Sequence, residues 1–597
     1  MQLFFKENWN QNNLVEIGGF ILSSLLKINL TSMKKGLLIF LGLLLLIIGA
    51  AALYFLSDSG NPYDKNAEVK WGRFSGKATE KLAKNHGEDI PGCNLSVPKA
   101  EIPTFTEIPF PSKNVFDNTK SLPLMASALV DINNDGVDEI FVGGGITQAD
   151  KLYQYSANGF TDITQSSGLP AKPDNSTTIG AVSFDLDKDG NTDILIASSA
   201  GVYWYQNTGE GFKVINLNAP INDKSTPAAL TLGDYDRDGD ADIFLATYIR
   251  LEKMEGQTIF TDKNYGSSSL LLQNQGDNTF KDVTEATGLS YVHNTFMGVF
   301  VDMNNDGWLD IVVAYDTGEA RTYKNNTDGT YSLAPNPLTG KFAYPMGIAI
   351  GDYNNDGLVD FFFTNTGTSV PVFLARGDLA DDQEFVPEWL LFRNDGDFKF
   401  TDVAKETKVA DFEFSWGAIF QDFNLDGRQD LVVAENYVDF PPHKLFKLPC
   451  RFLVQRADGT FDAVEQQAGT INKNYAITPL TSDFNQDGYP DLVWTNLNGP
   501  MRALINNGDN NNHYIGFRFP ETSDYAGASV TVETIGGRKI TDFYVVGEGL
   551  ASDQTSVVTL GIGLEDAVKT ASISYPDGTQ QVIPAPSIDK VHLVQRN

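Results

Sequence analysis

Short apolar runs alternate with turn-rich polar stretches along most of the chain. "ILIAS" at 194–198, "IFLAT" at 243–247, "IVVAY" at 311–315 and "LVVAE" at 431–435 are five-residue runs rich in β-branched side chains. "MGVFV" at 297–301, "MGIAIG" at 346–351 and "WGAIFQ" at 416–421 are of similar length. Runs this short, bounded by Gly, Asn and Asp, predict strands and leave no room for helices. Stretches such as "LLLQNQGDNTFKDVT" at 270–284 and "LLFRNDGDFKFTDVA" at 390–404 read as hairpins: an apolar strand, a turn, then a strand carrying an aromatic.

A nine-residue polar loop, D-x-[DN]-x-D-G-x-x-[DE], separates the two runs of each pair. It occurs seven times, starting at Asp131, Asp185, Asp234, Asp302, Asp352, Asp422 and Asp483, at intervals of 49 to 70 residues. Recurrence at that period marks a propeller or solenoid. Two strands around each loop plus one hairpin give four strands per unit. The expected fold is therefore all-β: a seven-bladed β-propeller over 111–512, in which radial closure leaves few exposed edges, and a small β domain over 513–597.

Positions 1, 3, 5 and 9 of the loop carry oxygen side chains. They are Asp131, Asn133, Asp135 and Glu139 in loop 1; Asp185, Asp187, Asp189 and Asp193 in loop 2; Asp234, Asp236, Asp238 and Asp242 in loop 3. Loop 4 has Asp302, Asn304, Asp306 and Asp310; loop 5 has Asp352, Asn354, Asp356 and Asp360. Loop 6 has Asp422, Asn424, Asp426 and Asp430; loop 7 has Asp483, Asn485, Asp487 and Asp491. Glycine at position 6 permits the reversal. Oxygen-only ligands in a tight turn suit a hard cation with six to eight ligands, calcium before magnesium or zinc, so up to seven Ca2+ ions are expected. Two carboxylates about 5 Å apart at an effective dielectric of about 20 repel by roughly 3 kcal/mol, a cost that a bound cation removes. An EF-hand is excluded: position 12 counted from Asp185 is Ile196, not Glu, and the flanks are strands. Loops 2 and 3, with Asp at position 3, are expected to bind most tightly, and Glu139 to weaken loop 1. Position 2 is apolar or aromatic in every copy, which suggests that it plugs the loop into the blade core.

Charge and composition narrow the partners. The net charge of -33 disfavours nucleic acid and anionic lipid surfaces. Two cysteines, Cys93 and Cys450, are too few for a disulfide framework, though one bridge between them stays open. Residues 36–56, "GLLIFLGLLLLIIGAAALYFL", are uncharged and long enough to span a bilayer. Lys34 and Lys35 precede them, which puts 1–35 in the cytoplasm and the rest outside. Cleavage near the small residues 49–52 would instead release a secreted protein. Residues 57–110 read as an extended tether.

The five histidines form no metal-protease or triad pattern, and there is no phosphate-binding glycine loop. His293 reads as a turn or channel-lining residue. Longer segments at 248–268, 366–389 and 436–451 offer a ligand face, with Trp389, Phe440 and Arg451 as contacts.

At the seven loops the sequence resembles the FG-GAP or VCBS calcium-loop repeats of integrin α-like propellers. "NNGDNNNHYIGFRF" at 506–519, "AGASVTVET" at 526–534, "TLGIGL" at 559–564 and "ISYPDGT" at 573–579 resemble the UnbV/ASPIC domain that follows such propellers in relatives of cartilage acidic protein. The resemblance implies calcium rigidifying one propeller face and a role in adhesion or in binding a protein or glycan. Carbohydrate-active enzymes of lyase or dehydratase type, and a structural subunit of an envelope assembly, are the alternatives.

Overall fold

The computed structural model describes residues 98–596, except 115–123, 251–252, 254–265, 317, 368–383 and 437–447. The segments 1–35 and 36–56 and most of 57–110 lie outside the described residues. Among the described residues no helix is long and apolar enough to cross a membrane.

Seven sheets, each built on four antiparallel strands, follow one another along the chain. Sheet 2 is typical: Thr178–Phe184, Asp193–Ser198, Gly201–Asn207 and Phe212–Asn216, paired in that order. The first two strands are buried along their whole length and the fourth is partly exposed. Apolar continuity in the inner strands and alternation in the outer ones follow from burial on both faces against one face. Each polar loop joins the first strand to the second, and the position-9 carboxylate opens the second strand.

The loops touch their neighbours in order. Position 4 has φ between 56° and 59° in all seven, and Gly at position 6 has φ between 83° and 96°. This left-handed pair turns the position-4 side chain sideways. Asn134 Nδ2 donates to Gly190 O at 3.0 Å, Lys188 Nζ to Gly239 O at 2.7 Å, Asn305 Nδ2 to Gly357 O at 3.2 Å and Asn355 Nδ2 to Gly427 O at 2.9 Å. Gln486 Nε2 of loop 7 returns to Gly136 O of loop 1 at 3.4 Å. The first strands Ser127–Val130 and Tyr475–Ser482, of the first and last sheets, also touch.

One boundary departs from the sequence reading. Residues 105–108, expected within the tether, form the strand Phe105–Ile108, the fourth strand of sheet 7, paired antiparallel with Arg502–Asn506. The stretch is extended, as its prolines predict, but its backbone needs a partner and the open edge of the last sheet supplies one. Phe105 packs edge-on against Phe423 and Phe452, with ring centroids 5.8 and 5.4 Å away.

The C-terminal domain, beginning at His513–Arg518, stacks on the loop face. Its apolar core is continuous with that of sheets 2 and 3: Phe184, Leu230 and Leu232 share one cluster with Phe519, Val530 and Tyr544. Residues 546–554 enter where the first strands of the sheets converge. Ser552–Asp553 pairs parallel with Ser127 and Ala128 of sheet 1. Asp553 Oδ2 accepts from Ser183 N at 2.9 Å, Thr231 Oγ1 donates to Val546 O at 2.7 Å, Glu548 Oε1 accepts from Ile350 N at 2.8 Å and Gln554 Oε1 from Thr481 N at 3.1 Å. One segment thus bonds to the first strands of sheets 1, 2, 3, 5 and 7.

Phe105→Ala is expected to lower unfolding stability by about 3 kcal/mol through cavity formation, read as a fall in urea midpoint. An unchanged midpoint would return residues 105–108 to the tether.

Candidate metal loops and their surroundings

The loop backbone is held by its own carboxylates. In every copy position 1 accepts the N–H of position 5 on Oδ1 and the N–H of Gly at position 6 on Oδ2. In loop 2 these are Asp189 N and Gly190 N on Asp185, at 3.0 and 2.9 Å. The equivalent pairs fall on Asp131, Asp234, Asp302, Asp352, Asp422 and Asp483. Position 5 accepts the N–H of position 7: Asp135, Asp189, Asp238, Asp306, Asp356, Asp426 and Asp487 all do so. Position 9 accepts the N–H of position 2 on one oxygen. The expected plug at position 2 is present: Leu186, Tyr235, Met303, Tyr353, Phe423 and Phe484 are buried, and Ile132 is half-buried.

The third strand was expected as part of a hairpin, but not its hold on the loop. The second oxygen of position 9 accepts the N–H of that strand's last residue: Asn207 on Asp193 at 2.7 Å, then Asn274 on Asp242, Asn325 on Asp310, Asn394 on Asp360, Gln455 on Asp430 and Asn506 on Asp491. The signal was the amide side chain that ends each third strand before its turn, as in "YQNTG" at 205–209 and "FRNDG" at 392–396.

The seven loops have four kinds of surroundings. In loops 2 and 3, ligand oxygens of Asp185, Asp187 and Asp193, and of Asp234, Asp236 and Asp242, lie within 4.8 Å of one another. Gln206 Nε2 and Gln273 Nε2 hold Oδ2 of Asp187 and Asp236 at 2.5 and 2.6 Å, while Oδ1 of each is buried with no hydrogen-bond partner. A buried carboxylate oxygen without a donor is costly, and a cation at the focus of three carboxylates removes that cost. These residues fit a calcium ion. Asp189 and Asp238 stand outside the two groups.

Loops 4, 5 and 7 place an amide where loops 2 and 3 have the orphaned oxygen. Asn304, Asn354 and Asn485 Nδ2 donate to Asp306, Asp356 and Asp487 Oδ2 at 2.8, 2.8 and 2.9 Å. Loops 1 and 6 differ again. Glu139 Oε1 reaches into the first loop and accepts from Gln154 Nε2 at 3.0 Å and Asn133 Nδ2 at 3.4 Å. In loop 6, Asn424 Nδ2 donates outward to Glu101 O at 2.7 Å.

Burial raises the acids at positions 1 and 9. Asp193 and Asp352 are pushed up to about 7, Asp234, Asp302 and Asp483 to about 6, and Glu139 to about 8. Asp242, Asp310, Asp360, Asp430 and Asp491 are also held well above the usual carboxylate range by burial.

The proposed contact residues sit elsewhere than expected. Trp389 is fully buried, its Nε1 donating to Glu413 O at 2.7 Å. Arg451 is fully buried between Glu435 and Glu465, at 2.5 and 2.8 Å. Both serve the interior, because each begins or precedes an inner third strand. Phe440 lies outside the described residues. His293 lines a turn: its Nε2 lies 2.9 Å from Asp316 O and its ring stacks on Tyr291. Cys450 is a buried free thiol, pushed up to about 12 by burial, and Cys93 lies outside the described residues.

A raised folded-state pKa means that the protonated loop favours the fold. That contribution is complete below about pH 4 and is lost as pH rises through 6 to 7, the values of Asp234 and Asp193. In chelator, Tm is therefore expected to fall between pH 5 and pH 7.5. A Tm that rises over this interval contradicts the burial of these acids.

Comparison with known proteins follows the same division. The FG-GAP-like repeat model matches residues 131–196, 185–245 and 302–363, which hold loops 1 to 5. The ASPIC and UnbV model matches 520–597. Cartilage acidic protein 1 of Homo sapiens is 25% identical over 53% of this chain, and that of Mus musculus 24% over 53%. The Xenopus tropicalis protein is 30% identical over 32% of this chain. The chain spans about half the length of the human and mouse relatives, 48% and 49%, and 28% of the frog one. Among solved structures, the Bacillus licheniformis rhamnogalacturonan lyase PL11 aligns over 67% of this chain and 75% of its own, at 11% identity and a TM-score of 0.37. The chain thus carries three FG-GAP-like repeats and a C-terminal ASPIC and UnbV domain, and is similar in sequence to cartilage acidic protein 1.

Proposed function

We propose that this chain is a calcium-braced, seven-bladed propeller, anchored by residues 36–56 and working outside the cytoplasm, where it binds a protein or glycan partner. The observation that carries the reading is the pair of three-carboxylate foci in loops 2 and 3, each with one buried oxygen that has no hydrogen-bond partner. Calcium bound there would supply positive charge to buried carboxylates, among them Asp193 and Asp234, which burial pushes up to about 7 and about 6, and would fix the turn between two inner strands.

Topology favours one face for the partner. The loops join first strands to second strands, and the C-terminal domain covers that face. The longer segments leave from the ends of second strands, at Ile249, Phe363 and Glu435. In an antiparallel sheet those ends lie opposite the loops. The reading assigns binding to the face opposite the loops, and the loops act through rigidity. The relatives' architecture supports an extracellular binding or adhesion role.

Two measurements test this. Asp187→Ala and Asp236→Ala are expected to reduce the calcium-induced rise in Tm more than Asn485→Ala does; equal effects contradict the assignment to loops 2 and 3. A pull-down from detergent-solubilised membranes is expected to retain a partner in calcium and lose it in chelator. Retention that ignores the chelator overturns the calcium dependence, and glycan turnover with nothing retained overturns the binding role.

A further inference from the structure

Seven copies of one loop invite the count of seven metal ions, but two loops already hold a cation of the protein's own. We propose that loops 1 and 6 are arginine-filled, not metal-filled, and that Arg518 makes loop 1 a docking point for the C-terminal domain. The inference rests on the calcium reading for the other five loops.

In loop 1 the guanidinium of Arg518 comes from the first strand of the C-terminal domain. Nη1 lies 3.5 Å from Asp131 Oδ2 and 3.8 Å from Asp138 Oδ1, and Nη2 donates to Gly136 O at 2.7 Å. Position 1, position 8 and the position-6 carbonyl thus face one planar cation, the geometry that suits arginine. The same loop is the one copy with Glu at position 9. Its longer arm brings Oε1 to Asn133 Nδ2 and Gln154 Nε2, so the position-3 amide bonds the position-9 acid here, where in loops 4, 5 and 7 it bonds the position-5 acid. The two departures from the repeat lie on the same loop and act in the same direction.

In loop 6 the cation is internal. Arg428, at position 7, pairs through Nη2 with Asp426 Oδ2 and with Glu101 Oε2, the latter at 3.1 Å. Arg538 of the C-terminal domain adds Nη1, donating to Asp426 O at 2.6 Å. The domain closes over this loop so tightly that a Cβ on Gly561 would meet Asp422 Oδ2 at 2.2 Å. Among the described residues, no other loop acid at positions 1, 3, 5 or 9 has an ion pair with lysine or arginine. Guanidinium beside these ligands repels a divalent ion and neutralises one ligand carboxylate in each loop, Asp131 and Asp426.

The test counts ions on the full-length chain by native mass spectrometry in a calcium titration. Wild type is expected to take up five. Asp131→Asn and Asp422→Asn should leave that count unchanged, whereas Asp187→Ala should lower it by one. The double variant Arg518→Gln/Glu139→Asp should gain one ion, because it restores the repeat's own ligand set. Seven ions on wild type, or loss of one in Asp131→Asn, overturns the proposal. A wild type that binds no calcium overturns the proposed function instead. The arginine assignment is then decided by melting in chelator, where Arg518→Gln and Arg428→Gln are each expected to lower Tm and an unchanged Tm refutes it.

Discussion

The structure depends on the carboxylate that opens each second strand. One of its oxygens holds the loop through the N–H of position 2, and in sheets 2 to 7 the other holds the last residue of the third strand. That residue then crosses between sheets. Asn207 Nδ2 donates to Ile132 O, Asn325 Nδ2 to Tyr235 O, Asn394 Nδ2 to Met303 O, Gln455 Nε2 to Tyr353 O and Asn506 Nδ2 to Phe423 O. Each acceptor is the position-2 carbonyl of the preceding loop. A chain of carboxylate, amide and carbonyl therefore runs from loop to strand to neighbouring loop. Sheet 3 differs: Asn274 Nδ2 turns back on Ala241 O and Asn278 Oδ1.

Such a chain needs buried charge, and buried charge needs compensation. The loops meet that need in different ways. Where position 3 is Asp, three carboxylates converge and call for a cation. Where it is Asn, an amide proton bonds the position-5 acid and one fewer carboxylate is left to face the cation. Where arginine is at hand, the guanidinium does the work of an ion. Conservation of the backbone turn across all seven copies thus hides different electrostatics at its centre. The C-terminal domain is part of this arrangement, since it contributes Arg518 and Arg538 to loops and sends residues 546–554 into the convergence of the first strands.

Much of this was legible in the sequence. Strand type followed from run length and β-branching, the repeat from the glycine at position 6, and the convergence of three carboxylates in loops 2 and 3 from the single Asp-for-Asn difference at position 3. What could not be read was whatever depends on partners distant in sequence. Residues 105–108 look like tether because their strand partner lies about four hundred residues away. Arg451 and Trp389 look like surface contacts because arginine and tryptophan next to long segments usually are, but Glu435 and Glu465 neutralise the one and Glu413 O accepts from the other. Arg518 carried no local signal at all; only the stacking of the C-terminal domain on the loop face brings it to Asp131.

The most direct test of this account is anomalous scattering from crystals grown with calcium. The account predicts difference density at the foci of Asp185, Asp187 and Asp193 and of Asp234, Asp236 and Asp242, with the Oδ1 atoms of Asp187 and Asp236 turned toward it. Density absent from both foci, with those oxygens hydrogen-bonded to protein groups instead, would contradict it.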